Sequence, residues 1–227
     1  MTEEDGRTPA ERLGAWGKES KAAFAQGREP RRLAGAVVTF HARVDEVLST
    51  TVAGHGVVLA CASGCAHCCH LRVQVQPAEA FALAAWLRRH LDPAGLARVI
   101  ARLEKNVART RELGEEARKR TNLACALLDE QGRCGAYEAR PAQCRRCHST
   151  DVSPCKAFHD DPTRDDLESA MHDAVAHNAD VIITQARHAA RDAGLDDTPV
   201  EMNHALLQAL TNPKAWRRWR DGKKFPA

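Results

Sequence analysis

The residues of this chain best suited to chemistry are its nine cysteines, which fall in two bursts. The first is Cys61-Ala-Ser-Gly-Cys65-Ala-His-Cys68-Cys69, and the second runs from Cys125 through Cys134, Cys144 and Cys147 to Cys155. A thiolate is a soft, charged ligand for zinc, ferrous iron or an iron–sulfur cluster, whereas an isolated buried cysteine packs as a small hydrophobe. Cysteines used only for packing would be scattered over many elements, yet residues 70–124 contain none. Clustering on this scale points to metal.

Disulfides are the rival use of so many cysteines, and they belong to oxidising compartments. Met1-Thr2-Glu3-Glu4-Asp5 has neither a basic leader nor an apolar core segment, so no secretory signal is read here. The cysteine count is odd, and adjacent Cys68 and Cys69 could pair only through a strained ring. A chain of 227 residues can also bury a core without staples. Reduced thiols and a cytoplasmic location are the expectation. The apolar run Gly56-Val57-Val58-Leu59-Ala60 is far too short to span a bilayer, so no membrane association is expected.

Within the first burst, Gly64 frees the backbone before Cys65, and the Cys65-x2-Cys68 spacing lets two thiolates reach one ion. Cys69 must then point elsewhere. In the second burst, Cys125 and Cys134 flank a turn at Gly132, a hairpin-like arrangement that can bring them close. No single stretch supplies four ligands at a zinc-finger spacing, so the site must be assembled from both bursts. The spacings also miss the compact ferredoxin run. His67, His70 and His148 could complete a coordination sphere, but loop histidines more often bond to neighbouring groups. Arg140 could offset the negative charge of a thiolate-rich centre or simply pair with Glu138 or Glu79. Glu79 is best read as a first-turn helix residue.

These loops need a scaffold, and its signals are helical. Residues 1–30 are polar, with scattered glycines, and read as an N-terminal arm with some helix. From Arg31 to Leu48, apolar residues Leu33, Val37, Phe40, Val44 and Val47 recur at helical spacing. Pro77 opens a second helix, and Asp92-Pro93 a third that the pattern carries to about residue 120. Further helices are expected from Arg164 to Asp192 and from Pro199 onward. Strand signals are nearly absent, and aromatics make up only 4% of the chain, so alanine, leucine and valine must fill the core. The expected class is all-α: a single helical domain over residues 31–212 with two cysteine-bearing loops pinned together, then a basic tail over 213–227.

Gly64-Cys65-Ala66-His67-Cys68-Cys69-His70, Pro77-Ala78-Glu79-Ala80, Cys125-Ala-Leu-Leu-Asp129 and Tyr137-Glu138-Ala139-Arg140-Pro141-Ala142-Gln143-Cys144 together resemble the CxxCxxCC family. This is a bacterial group, also called YkgJ-like, described as zinc- or iron-chelating. The likeness runs over roughly residues 55–160. It implies that Cys65, Cys68, Cys69, Cys125, Cys134 and Cys144 are metal ligands, with Cys155 as a trailing one. Cys61 joins them as a candidate, although three residues separate it from Cys65 where the family name implies two. Cys147 stands outside the resemblance and is expected to matter much less.

The functional expectation is therefore a protein that binds zinc or iron, the latter also as an iron–sulfur cluster. The alternative is an iron- or iron–sulfur-dependent enzyme modifying a protein or peptide, since a related cysteine motif occurs in an enzyme that methylates flagellin lysines. A zinc protein binding nucleic acid is weaker still. It rests only on the tail Lys214-Ala-Trp216-Arg217-Arg218-Trp219-Arg220, and a net charge of +3 adds no support. Such a tail more often docks its tryptophans on the body of the protein and leaves its arginines in water. No phosphate loop, dinucleotide fingerprint or nucleophile elbow is present in the sequence.

Overall fold

A computed structural model describes residues 9–226. Residues 1–8 of the expected arm, including the segment read for a secretory signal, lie outside the described residues. The fold is all-α, with ten α-helices among the described residues and one two-stranded ribbon. Helices α1 (Pro9–Ala25), α2 (Pro30–Gly54) and α8 (Asp173–Asp192) pack together on one side. On the other, α3 (Pro77–His90) and α4 (Pro93–Thr110) pack on α9 (Met202–Thr211), and α2 joins the halves by lying against α3. The apolar stripe read from the sequence is the buried face of α2: Leu33, Val37, Phe40, Val44 and Val47. Alanines at 179, 186 and 190 on α8 and at 205 and 209 on α9 let the helices approach closely.

Caps fix where several helices begin. Proline stands in the first turn of α2, α3, α4 and α10 (Pro213–Arg220), where its missing N–H costs nothing. The Asp92 carboxylate accepts from the Gly95 amide at the start of α4. In α10, Trp219 is fully buried against Phe81 and its indole N–H donates to the Asp196 carbonyl, while Arg217, Arg218 and Arg220 are exposed. The tail thus docks by its tryptophan and leaves its cations in water. No helix among the described residues is long and apolar enough to cross a membrane.

Three helix boundaries differ from the sequence pattern. The third helix does not run to residue 120: α4 ends at Thr110, and after Gly114 a separate five-residue α5 (Glu115–Lys119) begins. There Arg118 turns inward to pair with Glu201 at 3.1 Å. The stretch from Arg164 to His172 is not helical, because its backbone serves the cysteine loops. The Ala170 carbonyl accepts from the Thr150 amide, and the His172 amide donates to His148 Nε2. Finally, α9 starts at Met202 rather than Pro199. Residues Val200–Glu201 (β2) first pair antiparallel with Gln74–Val75 (β1), a ribbon of two residues per strand.

Candidate metal centre

Backbone hydrogen bonds stitch the two cysteine bursts together. Cys69 closes a 3-10 turn over His67–His70, and its carbonyl accepts from the Cys125 amide at 2.8 Å. The His70 carbonyl accepts from the Leu123 amide. Further out, the Ala60 amide donates to the Ser149 carbonyl at 2.8 Å, and the Cys61 thiol lies 4.0 Å from the same oxygen. Residues 127–135 form a small hairpin: Leu128 bridges Cys134, and the Asp129 carboxylate accepts from the amides of Gln131 and Arg133. Gly64 and Gly132 meet where the bursts cross. Both have positive φ (89° and 72°), and a Cβ at Gly132 would stand 2.9 Å from the Gly64 carbonyl oxygen. Glycine is needed there both for backbone conformation and for space.

On this frame all nine cysteines are free thiols, Cys61 exposed and the others half-buried. They form two adjoining neighbourhoods. In an inner one, Cys125 lies within electrostatic reach of Cys134, and Cys144 of both, with Cys69 close to Cys125 and Cys144. Cys125 and Cys134 also pack against the hydrophobic core. In an outer one, Cys61 feels Cys65 and Cys155, the latter carried by α7 (Val152–Asp160). Cys68 stands between them. Its sulfur lies beside the Cys147 and Cys69 thiols and in reach of Cys61, Cys125 and Cys144.

The environment sets which thiol carries charge. The neighbouring Cys147 and Cys69 thiols, helped by Arg140, pull the Cys68 thiol well below its ordinary value. Cys147 and Cys69 are pushed up in turn. Burial raises Cys125 to about 11 and Cys144 well above the thiol range. It also raises Cys134, against the opposing charges of Arg140 and Arg145. Arg140 lies 4.0 Å over the exposed Tyr137 ring, and its Nε is buried without a hydrogen-bond partner among the described residues. A guanidinium with an unpartnered Nε suits a centre in which several thiolates around a divalent ion leave net negative charge.

Glu79 proves to be more than a first-turn residue. Its carboxylate accepts from the Gln76 amide in a capping box, from His41 at 2.9 Å and from the Ala142 amide at 2.7 Å. It thereby ties α2 and α3 to α6 (Ala142–Arg146), the helix that carries Cys144. Burial pushes the Glu79 carboxyl up, but these partners overcome it and hold it below the ordinary carboxylate range. We expect Glu79→Ala to cost about 3–5 kcal/mol, as breaking a buried pair does, and to weaken metal binding by loosening Cys144. Denaturant unfolding with and without metal checks this. An unchanged midpoint in both states would exclude the brace.

His148 is not available to a metal. Its Nε2 accepts from the His172 amide at 3.0 Å and its Nδ1 faces the Arg146 carbonyl at 2.8 Å, so both nitrogens are spent. The eight cysteines singled out from the sequence therefore gather from both bursts. Cys147, set aside there, lies among them against Cys68. The signal that could have found it is the Cys144-x2-Cys147 spacing, which repeats that of Cys65 and Cys68. Among the described residues no three histidine, cysteine or acidic side chains converge closely enough to hold an ion as they stand. The thiols lie side by side instead, and closing a site would require them to turn toward a shared centre. By chemistry the donor set fits zinc or iron.

Comparison with known proteins agrees with this chemistry. Residues 60–163 match the family model CxxCxxCC, described as "Putative zinc- or iron-chelating domain". No curated protein and no solved structure matches the chain.

Proposed function

From the match of residues 60–163 to the CxxCxxCC family model, we propose that the protein binds zinc or iron through thiolates contributed by both cysteine bursts. The observation that carries this reading is that Cys68, from the first burst, lies within electrostatic reach of Cys144 and Cys147 from the second as well as of Cys61. Cys69, Cys125, Cys134 and Cys144 would hold an inner ion. Cys61, Cys65 and Cys155 would serve an outer one, with Cys68 and Cys147 between. Bound metal would supply a positive centre to which thiols surrender their protons and by which distant loops are tied, so that binding and folding are linked.

The chain's own residues prepare for that. Arg140 and Arg145 bring positive charge to Cys134, and Arg140 also to Cys68. The Glu79 brace holds α6, and the Gly64–Gly132 crossing fixes the loops. An iron–sulfur cluster is the alternative content of the same thiolate set. Protein purified without oxygen is expected to carry metal, read by elemental analysis, acid-labile sulfide and an absorption spectrum. Colourless protein with zinc and no sulfide supports a chelating or metal-stabilised module. Brown protein with iron and matching sulfide supports a cluster. Protein that carries no metal and takes up neither zinc nor ferrous iron would sink the proposal.

A further inference from the structure

Three histidines outside the thiol set meet at the seam between the His67–His70 turn and α7. The His159 ring, on α7, lies 5.3 Å from that of His67 and 4.5 Å from that of His70, centroid to centroid and edge to face in both cases. All three are half-buried, and so reachable from solvent. They come from segments about ninety residues apart that are locked together locally, since Asn122, just before Cys125, donates to the His159 carbonyl.

Two of these rings combine an open nitrogen with access to solvent. His148 has both nitrogens committed, and His41, whose Nε2 bonds Glu79, is itself buried. By contrast, His70 Nδ1 lies 3.0 Å from the Ala66 carbonyl, an acceptor only, so that nitrogen carries the proton and Nε2 keeps its lone pair. His159 Nδ1 faces the Asp160 carboxylate at 3.4 Å, which favours the same tautomer. A ring N–H given to a carbonyl or carboxylate, with the other nitrogen left open, is the outer-shell arrangement of metal-ligating histidines. Two of the three rings have it.

We propose that His67, His70 and His159 form a second, nitrogen-donor site for a divalent ion of borderline softness such as zinc or cobalt, separate from the thiolate centre. The His159 ring now rests against the other two, and a bound ion would draw their free nitrogens to one point, with an exchangeable water completing the sphere. Cys155 lies one helical turn before His159 on the same face of α7, so an ion held here stands beside the outer thiols.

Titration of the full-length, reduced protein with cobalt(II) separates the two sites. Sulfur-bound cobalt shows an intense sulfur-to-metal charge-transfer band, and nitrogen-bound cobalt does not. Wild-type protein is expected to bind one equivalent of cobalt beyond those that raise this band. His159→Ala and, independently, His70→Ala are expected to lose that equivalent and leave the band unchanged, which also reports that the thiol site remains folded. Equal total cobalt in wild type and both variants would overturn the proposal. So would loss of the band along with the extra equivalent, because the histidines would then be ligands of the thiolate centre. Absence of the band from wild type would refute the thiolate reading instead, and the extra equivalent would still decide this one.

Discussion

Cys68→Ser is expected to lower bound metal more than any other single cysteine replacement. Serine preserves size and a hydrogen-bonding group, but its hydroxyl is not ionised at neutral pH and is a poor ligand for zinc or ferrous iron. Cys68 is the one thiol held well below its ordinary value, and it is within reach of both inner and outer neighbours. Loss of outer-shell partners alone typically weakens metal binding by about 10- to 100-fold, so loss of this thiolate should exceed about 100-fold. Each tenfold loss removes about 1.4 kcal/mol of metal-linked stability. Cys65→Ser, by comparison, should affect the outer neighbourhood alone, and Cys134→Ser the inner. Metal content per chain and thermal midpoints across the three variants check the order. Wild-type metal content in Cys68→Ser would remove the centrepiece of the shared-site arrangement.

The same comparison bears on Cys147. On sequence spacing and family likeness it stood outside the ligand set, and its replacement was expected to matter little. In the fold it lies beside Cys68 and feels Cys61 and Cys144, so Cys147→Ala, which unlike serine leaves no donor there, should raise the proton affinity of Cys68 and weaken binding measurably. That role depends on contact between residues 79 positions apart in the chain, so the Cys144-x2-Cys147 spacing marks the residue but not its partner.

Where one element's own residues decide, the sequence could be read. Pro77 and Asp92-Pro93 begin α3 and α4 as their chemistry requires, and the apolar stripe of α2 is its buried face. The two glycines flagged beside the cysteines are the two that meet at the crossing. What could not be read was set by partners distant in sequence. The segment before α8 gives its backbone to Thr150 and His148 instead of continuing a helix. Val200–Glu201 is claimed by Gln74–Val75. Glu79 looked like a dipole-satisfying residue because its partners His41 and Ala142 lie 38 and 63 positions away. His159 drew no notice as a lone histidine at the end of a short helix, until the fold set its ring against His70.

Metal affinity should climb steeply with pH, and should keep climbing where ordinary thiols level off. Metal binds the thiolate, so every thiol protonated in the free protein must give up a proton, and each one released makes the apparent affinity rise about tenfold per pH unit. An unperturbed cysteine stops contributing above about pH 8.5. In the inner neighbourhood Cys69, Cys125, Cys134 and Cys144 are all raised, Cys125 to about 11. They hold their protons through neutral pH and beyond, so affinity falls as pH drops and the rise continues past pH 9. Cys68, held well below its ordinary value, adds least to the slope. Proton release on adding zinc to weakly buffered, reduced protein is therefore expected to approach one per inner thiol. Affinity measured against a competing chelator should follow the same slope. Release below one proton per ion, or a slope that flattens by about pH 8, would mean that the raised thiols are not the ligands. The inner ion would then have to be sought among other residues.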